Sequence, residues 1–176
     1  EGAEKRAVKT GAINAGSVPG FAALTSLSSD DFYEGNRGAN YAAARCCLAK
    51  RDYAGAIFYF EKAATLVETD YVAAGMLPGC YTANGDVEGA KAAARLALAR
   101  CEQAVAIEVD NGSAMGFLIT SLATLGELER MHEWIERATL LDPNNLNMQY
   151  NVACMLITNL GDLDGGLRML APLFKV

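Results

Sequence analysis

The sequence contains one imidazole, His132, which is followed by Glu133 and Trp134. Histidine is the side chain best suited to acid-base chemistry near neutral pH, so a single copy gives little material for a catalytic set. No cysteine lies near His132 in the chain that could form a local Cys-His pair with it. We therefore interpret His132 as a surface or boundary residue of a helix, and we expect no catalytic residues and no enzymatic activity.

The cysteines are odd in number, include one adjacent pair and contain no C-x-x-C motif: Cys46, Cys47, Cys80, Cys101 and Cys154. This pattern fits neither a disulfide framework nor a zinc site. Each cysteine lies in an apolar, helical context, where a free thiol behaves as a small hydrophobic residue. We therefore expect structural thiols in a reducing compartment, and hence a cytoplasmic protein.

Two short motifs are similar to ligand loops but lack essential positions. The stretch Asp162-Leu163-Asp164-Gly165 resembles the start of a calcium loop, but it lacks the third acidic position, the glycine at position six and the glutamate at position twelve. The glycines near Gly85 and Gly161 form neither of the phosphate-binding patterns G-x-x-x-x-G-K-S/T and G-x-G-x-x-G. We interpret both stretches as helix caps and turns, and we expect no metal and no cofactor.

Composition narrows the classes of partner. The chain has 176 residues, 52% of them apolar, and it carries 21 acidic against 15 basic residues, a net charge of -6. This is the wrong sign for neutralising phosphates, so DNA, RNA and anionic membrane surfaces are poor candidates. No apolar run approaches the roughly 20 residues that span a bilayer. The first residues, EGAEKRAVKT, lack an initiator Met and an apolar signal core, so we expect a fragment of a longer protein.

The elements that position these residues follow from an internal repeat. Four segments share a turn residue, an acidic residue, an apolar anchor and a small residue, and they begin at Arg51, Gly85, Gly126 and Gly161, 34, 41 and 35 residues apart. Gly just after one helix supplies a left-handed exit, and Asp or Glu then caps the free N–H groups of the next. Each segment is therefore predicted to be the corner of a helical hairpin.

This period of about 34 residues resembles the tetratricopeptide repeat, over about residues 37–176. The resemblance rests on small and large positions that interlock: Ala44, Ala56, Phe60 and Ala63 in the first unit, Met115, Leu118, Leu122, Ile135, Ala138 and Pro143 in the third, and Tyr150-Asn151-Val152-Ala153, Gly166 and Leu170 in the fourth. It implies an all-α fold of antiparallel hairpins stacked as a right-handed superhelix. We expect a helical or linker segment over 1–32 and a repeat array over 33–176, with units near 37–70, 71–111, 112–145 and 146–176.

The second unit is irregular. The last small residue of the repeat pattern falls at Ala97 when positions are counted forward from the corner at Gly85. It falls at Ala104, seven residues later, when positions are counted back from Asp110. Seven residues are about two helical turns, so the insertion keeps the apolar face in phase. We therefore predict one continuous helix over about Val87–Ile107. Because Pro78 lies inside the preceding helix, we expect that helix to bend near Ala74 or to begin late.

The N-terminal stretch follows no clear repeat. It contains several glycines, the pair Pro19-Gly20 and a polar run over 28–31, with short apolar pieces around 7–15 and 21–27. We predict two short helices there and expect the first regular helix to begin at Tyr33 or Glu34.

The resemblance implies that function lies in surface recognition on the concave face of the superhelix, which the first helix of each hairpin lines. Carried over by position, the family's groove gives thirteen residues. Eight of them are the expected partner-binding residues: Tyr41, Arg45, Leu48, Thr82, Phe117, Thr120, Tyr150 and Asn151. The other five are Gly75, Gly79, Thr124, Asn147 and Cys154. Family members that grip a C-terminal carboxylate use several Lys, Arg and Asn residues, of which only Arg45 and Asn151 are present, in distant units. We therefore expect a protein or peptide partner without a carboxylate clamp. Alternatively, Tyr41 and Tyr150 pack against the neighbouring second helices.

Two further expectations concern context. The stretch around Ala39–Arg45, the helix through Ala92–Leu98 and Tyr150–Cys154 look like the repeat tails of bacterial class III nucleotide cyclases. This resemblance implies, as an alternative, a regulatory or assembly segment of a signalling enzyme without catalytic residues of its own.

At the C-terminal end, Leu167, Leu170, Leu173 and Phe174 share one helical stripe with no polar capping helix after it. We therefore expect this end to dock onto a second molecule or to be covered by further residues.

Overall fold

The computed structural model describes residues 35–174, which form eight α-helices and a short 3-10 turn and contain no β-strand. The helices are α1 (Arg37–Ala49), α2 (Tyr53–Leu66), α3 (Tyr71–Ala83), α4 (Val87–Ile107), α5 (Gly112–Leu125), α6 (Leu128–Leu141), α7 (Leu146–Leu160) and α8 (Leu163–Leu170), followed by the 3-10 turn Ala171–Phe174. Successive helices form four antiparallel hairpins. Helices α3, α5 and α7 also pack side by side, so the first helices of the second, third and fourth hairpins share one face.

Aspartate and asparagine residues set where the helices begin. Their side chains accept hydrogen bonds from backbone N–H groups in the first turn of every helix except α6. In three of the four hairpins the second helix is capped by the Asp of a D-x-x-G sequence. The Asp carboxylate accepts a hydrogen bond from the glycine N–H at 2.8–2.9 Å. Such caps fix the start of a helix because they satisfy donors that have no partner inside it.

The predicted hairpin corners are confirmed. Arg51, Gly85, Gly126 and Gly161 are the described residues with a positive φ, at 58°, 81°, 77° and 68°, and they are the first residues of the four repeated segments. At the first corner an arginine takes the left-handed conformation that glycine takes at the others. A side chain in this conformation costs free energy because its Cβ approaches the backbone.

The long helix is also confirmed, because α4 runs without a break over Val87–Ile107, the predicted bounds. Of the two alternatives for α3, the late start is wrong: α3 begins at Tyr71, directly after the Asp70 cap, and continues through the buried Pro78. A bend near Ala74 stays a prediction. The first described helix begins at Arg37 behind an Asn36 cap. Tyr33, Glu34 and the two short helices predicted before them lie outside the described residues.

Helix α4 contributes to two hydrophobic cores. Ala93 and Ala97 pack with residues of α1, α2 and α3, whereas Leu98, Cys101 and Val105 pack with residues of α5 to α8. These side chains lie on one stripe of the helix, as expected if the inserted two turns keep the apolar face in phase. The first two hairpins and the last two are therefore joined through one continuous helix.

Polar contacts reinforce the junction between the first and second hairpins. Asp70 caps α3, and its buried carboxylate, with a side chain 4% exposed, accepts two hydrogen bonds from the Arg37 guanidinium of α1, at 2.5 and 2.8 Å. Arg100 of α4 donates through Nη1 to the carbonyls of Ala64, Val67 and Asp70, at 2.9, 3.3 and 3.1 Å. Ala64 lies in the last turn of α2, whose carbonyls have no partner within the helix. Val67 and Asp70 lie in the connection to α3, so Arg100 ties this connection to α4.

Our first prediction concerns the Arg51 corner. Arg51→Gly should raise the free energy of unfolding by up to about 1 kcal/mol, because glycine adopts the left-handed conformation without the Cβ clash. The measurement is urea unfolding followed by far-UV circular dichroism. The control is Lys50→Gly, one residue earlier at φ -92°, which should destabilise the chain because glycine gains nothing there. Equal effects of the two substitutions would contradict the prediction.

Our second prediction concerns the Arg37–Asp70 pair. Burial by itself raises the pKa of Asp70, but the hydrogen bond and charge of Arg37 and two backbone N–H groups of α3 outweigh it, so the pKa is lowered. The resulting stabilisation is complete above about pH 4, the ordinary aspartate pKa, and is lost as the pH falls from there through the lower native pKa. Asp70→Asn should therefore cost about 1–3 kcal/mol at pH 7 and progressively less in acid.

The control for this second prediction is Asp52→Asn, an exposed N-cap on α2 whose carboxylate accepts from Gly55 and makes no ion pair among the described residues. Aspartate and asparagine cap helices about equally well, so this variant should lose little stability. A loss in Asp70→Asn that stays constant between pH 7 and pH 3 would show that the ion pair does not supply it.

Candidate functional site

The eight residues predicted for recognition lie on the first helices of the hairpins. We call this surface the A-helix face: Tyr41, Arg45 and Leu48 on α1, Thr82 on α3, Phe117 and Thr120 on α5, and Tyr150 and Asn151 on α7. Four of the eight are exposed (Arg45, Thr82, Tyr150 and Asn151), and the other four are half-buried. The face is therefore part packing surface and part open surface.

On α1, Tyr41 is a packing residue. Its ring meets the Phe60 ring of α2 edge to face, with centroids 5.3 Å apart, and the Arg37 guanidinium lies over its other side at 5.3 Å. This is the alternative stated for Tyr41, packing against the second helix of its own hairpin. Leu48 packs against the same core. Arg45, one turn from Tyr41, is exposed, so its guanidinium group is accessible to a partner.

In the centre of the face, Phe117 of α5 joins two hairpins. A Cβ built on Gly75 of α3 would come 2.5 Å from Phe117 Cγ, so the absence of a side chain at Gly75 is what admits the ring. Phe117 also meets Tyr71 edge to face, with centroids 6.3 Å apart. The hydroxyls of Thr82 and Thr120 donate to the carbonyls of Pro78 and Phe117 in their own helices. The centre is thus closely packed, with few donors directed outwards.

On α7, Tyr150 and Asn151 are open. Tyr150 is 51% exposed, in contrast to Tyr41, so the packing alternative does not hold for it among the described residues. A hydrogen bond with Cys154, one turn later, raises the pKa of Tyr150. The phenol therefore stays protonated and offers both an O–H group and a ring face.

The described residues hold no reactive constellation. No group of three or more His, Cys, Asp or Glu within 35–174 could hold a metal ion. All five cysteines are free, and burial raises the pKa of Cys80 to about 11 and that of Cys101 to about 12, so both stay as unreactive thiols. His132 is exposed on α6. Within the same range, no helix has the length and apolar character needed to cross a membrane.

A second surface, apart from the A-helix face, was not predicted. We call it the α4–α6 groove: two adjoining depressions of about 560 and 300 Å³ that share Arg137 and lie between the end of α4 with its following loop and helix α6. Their walls are formed by Glu102, Val105, Ala106 and Val109 on one side and Glu133, Trp134, Glu136, Arg137, Leu140 and Leu141 on the other. The two-turn insertion in the sequence was the signal that could have predicted this groove, because a longer α4 carries side chains beyond the ends of the neighbouring helices.

Comparison with known proteins shows which proteins share this fold. Residues 38–68, which cover most of α1 and α2, match the family model described as tetratricopeptide repeat. No curated protein sequence matches the chain. Among solved structures, MamA 41-end from Desulfovibrio magneticus RS-1 has a TM-score of 0.53 and 17% identity, with 98% of this chain and 93% of that chain covered. A MamA RS-1 double mutant, ArsTM, has a TM-score of 0.51 and 18% identity, covering 97% and 88%.

At these identities the similarity to the solved structures concerns the fold alone. The range that the family model matches lies on the α1–α2 hairpin and contains Ala44, Ala56 and Phe60, on which the sequence resemblance rests. The first hairpin is therefore a tetratricopeptide repeat, and the chain has the stacked-hairpin, right-handed superhelical fold of the tetratricopeptide-repeat family.

Proposed function

We propose that this chain is a non-catalytic protein–protein interaction module that binds a peptide or helix on the concave, A-helix face. The observation that carries the proposal is the open pair of side chains on the outer first helices, Arg45 on α1 and Tyr150 on α7. Both are exposed, whereas Phe117 and Thr120 on α5 between them are half-buried. Exposed Arg and Tyr are the residue types most enriched among the anchors of protein interfaces.

The packing of the face favours a particular kind of ligand. Phe117 and Tyr71 form a semi-buried apolar floor, and the two threonine hydroxyls at Thr82 and Thr120 are engaged within their own helices. A ligand that spans the face would therefore meet apolar surface in the middle and polar anchors at either end. An amphipathic helix or an extended apolar segment suits this arrangement better than a charged tail does.

The cellular setting is part of the proposal. Free thiols, two of them with raised pKa values in the core, suit a reducing compartment, and we propose a cytoplasmic protein with a protein partner rather than nucleic acid or membrane. The alternative, a signalling segment next to a bacterial nucleotide cyclase domain, rests on the sequence resemblance alone.

Our third prediction tests the A-helix face. Peptides selected from a random display library on the immobilised chain would be titrated against variants by fluorescence anisotropy. Arg45→Ala and Tyr150→Ala should each weaken binding by about 5- to 30-fold, as the loss of an interface anchor commonly does. Both residues are exposed, so helicity should be unchanged.

The matched control for Arg45→Ala is Arg95→Ala, an exposed arginine on α4, which is a second helix of its hairpin. It removes the same charge and should leave peptide affinity within about twofold, since surface charges far from a site contribute little. Selected peptides that bind both arginine variants as tightly as the original chain would refute an A-helix face site.

We also propose self-association through the C-terminal end. Leu163 and Leu167 of α8 and Phe174 after it are exposed, Phe174 by 77%, while Leu170 packs against the core. Half of the predicted stripe is therefore covered and half is open. Neighbouring large apolar side chains on one surface are typical of an interaction site.

Our fourth prediction follows from this end. The weight-average mass from light scattering should rise with concentration for the original chain and rise less for Leu167→Glu, because a buried carboxylate opposes association. Leu96→Glu, an equally apolar exposed position on α4, serves as the control. A constant monomer mass for the original chain at high concentration would contradict the proposal.

A further inference from the structure

The net charge of the chain is concentrated around the α4–α6 groove. Residues 101–145 carry eight acidic and two basic side chains, a net charge of -6, which equals that of the whole chain. The remaining residues balance to zero. The acidic side chains are Glu102, Glu108, Asp110, Glu127, Glu129, Glu133, Glu136 and Asp142. This excess belongs to α6, the end of α4 and the loops beside them.

The two cations in this region are already engaged. Arg130 pairs with Glu127 at 2.5 Å and with Glu102 at 2.9 Å, and the Arg137 guanidinium lies over the Trp134 ring at 4.5 Å. Glu133 and Glu136, which line the groove, form no ion pair with any described cation. The groove therefore presents two carboxylates, Glu133 and Glu136, that form no ion pair among the described residues, beside one cation, Arg137.

The same surface exposes large apolar side chains. Leu140 in the groove is 80% exposed, Val109 beside it is also exposed, and Ile107 at the end of α4 is 89% exposed. Helix α6 packs against α5 and buries only Met131 and Ala138 fully. Its outer face is thus amphipathic and without a described partner helix, next to the two extra turns of α4.

We propose that the α4–α6 groove docks a basic amphipathic helix of a protein partner. A helix laid between two helix surfaces inserts its side chains into the groove between them. Leucine or isoleucine on one side of such a helix would cover Val109 and Leu140, and lysine or arginine beside them would meet Glu133 and Glu136. The charge requirement selects a basic helix over an acidic or neutral one, because an acidic helix would place like charges together.

This surface is separate from the A-helix face, since it is built from second helices of the hairpins. It goes beyond the proposed function because it adds a second class of ligand at a different place. The two can be tested independently, as Tyr150→Ala affects only the A-helix face and Glu133→Lys affects only the groove.

The experiment uses Trp134, the one tryptophan of the chain, as a reporter inside the groove. The probe is a 14-residue Leu/Lys peptide, LKKLLKLLKKLLKL, whose leucines form one helical stripe. It is titrated into the full chain while Trp134 emission and the anisotropy of the labelled peptide are recorded. The matched probe replaces every Lys with Glu, and a third probe scrambles the Leu/Lys order to destroy the stripe.

We expect the Leu/Lys peptide to change Trp134 emission and to bind at least about tenfold more tightly than either control peptide, with affinity falling as salt rises. Glu133→Lys/Glu136→Lys should weaken binding by about tenfold or more, and Leu140→Ala should weaken it without a change of charge. Glu68→Lys/Asp164→Lys makes the same change of net charge at exposed sites outside the groove and should leave affinity within about twofold, as should Tyr150→Ala.

Equal weakening by the two charge-reversal variants would overturn the proposal, because it would show attraction to net charge alone. Unchanged Trp134 emission on binding would also overturn it. A further variant, Lys5→Glu/Arg6→Glu/Lys9→Glu, tests the chain's own basic residues as the occupant. If this variant alters Trp134 emission in the absence of peptide, the groove holds the chain's own segment and the partner proposal fails.

Discussion

The structure depends on one continuous helix that serves two cores. Helix α4 supplies Ala93 and Ala97 to the core of the first hairpins and Leu98, Cys101 and Val105 to the core of the last ones. Arg100, next to Cys101 of the second set, donates to three carbonyls around the α2–α3 connection. In an array where each hairpin touches only its neighbours, stability is a sum of interfaces, so a helix shared by two cores couples them.

The same helix separates two surfaces of different chemistry. The first helices of the hairpins form a face whose centre is closed by Phe117 over Gly75 and whose ends stay open. On the other side, the extra length of α4 carries Glu102, Val105 and Val109 alongside α6, where the net negative charge of the chain gathers. One structural feature thus explains both the joining of the cores and the presence of a groove that a regular repeat would lack.

The sequence predicted the parts of the fold that depend on local chemistry. Left-handed residues and Asp caps recur at the hairpin corners, and a seven-residue insertion keeps a helical stripe in phase, so both the corners and the bounds of α4 could be derived from residue types and spacing. The ion pair of Arg37 with Asp70, 33 residues apart, and the contacts of Arg100 could not, because they depend on how hairpins stack. Tyr41 and Tyr150 occupy similar positions in the pattern, yet only the stacking decides that one is packed and the other open.

The most direct test of this account is native-state hydrogen exchange along α4, measured by mass spectrometry at increasing urea below the unfolding transition. If α4 couples the two cores, amides in its first half, around Ala93 and Ala97, and in its second half, around Cys101 and Val105, should exchange through one shared opening with the same free energy and the same urea dependence. Two openings of clearly different free energy, divided near Arg100, would show that the cores unfold independently and would contradict the account.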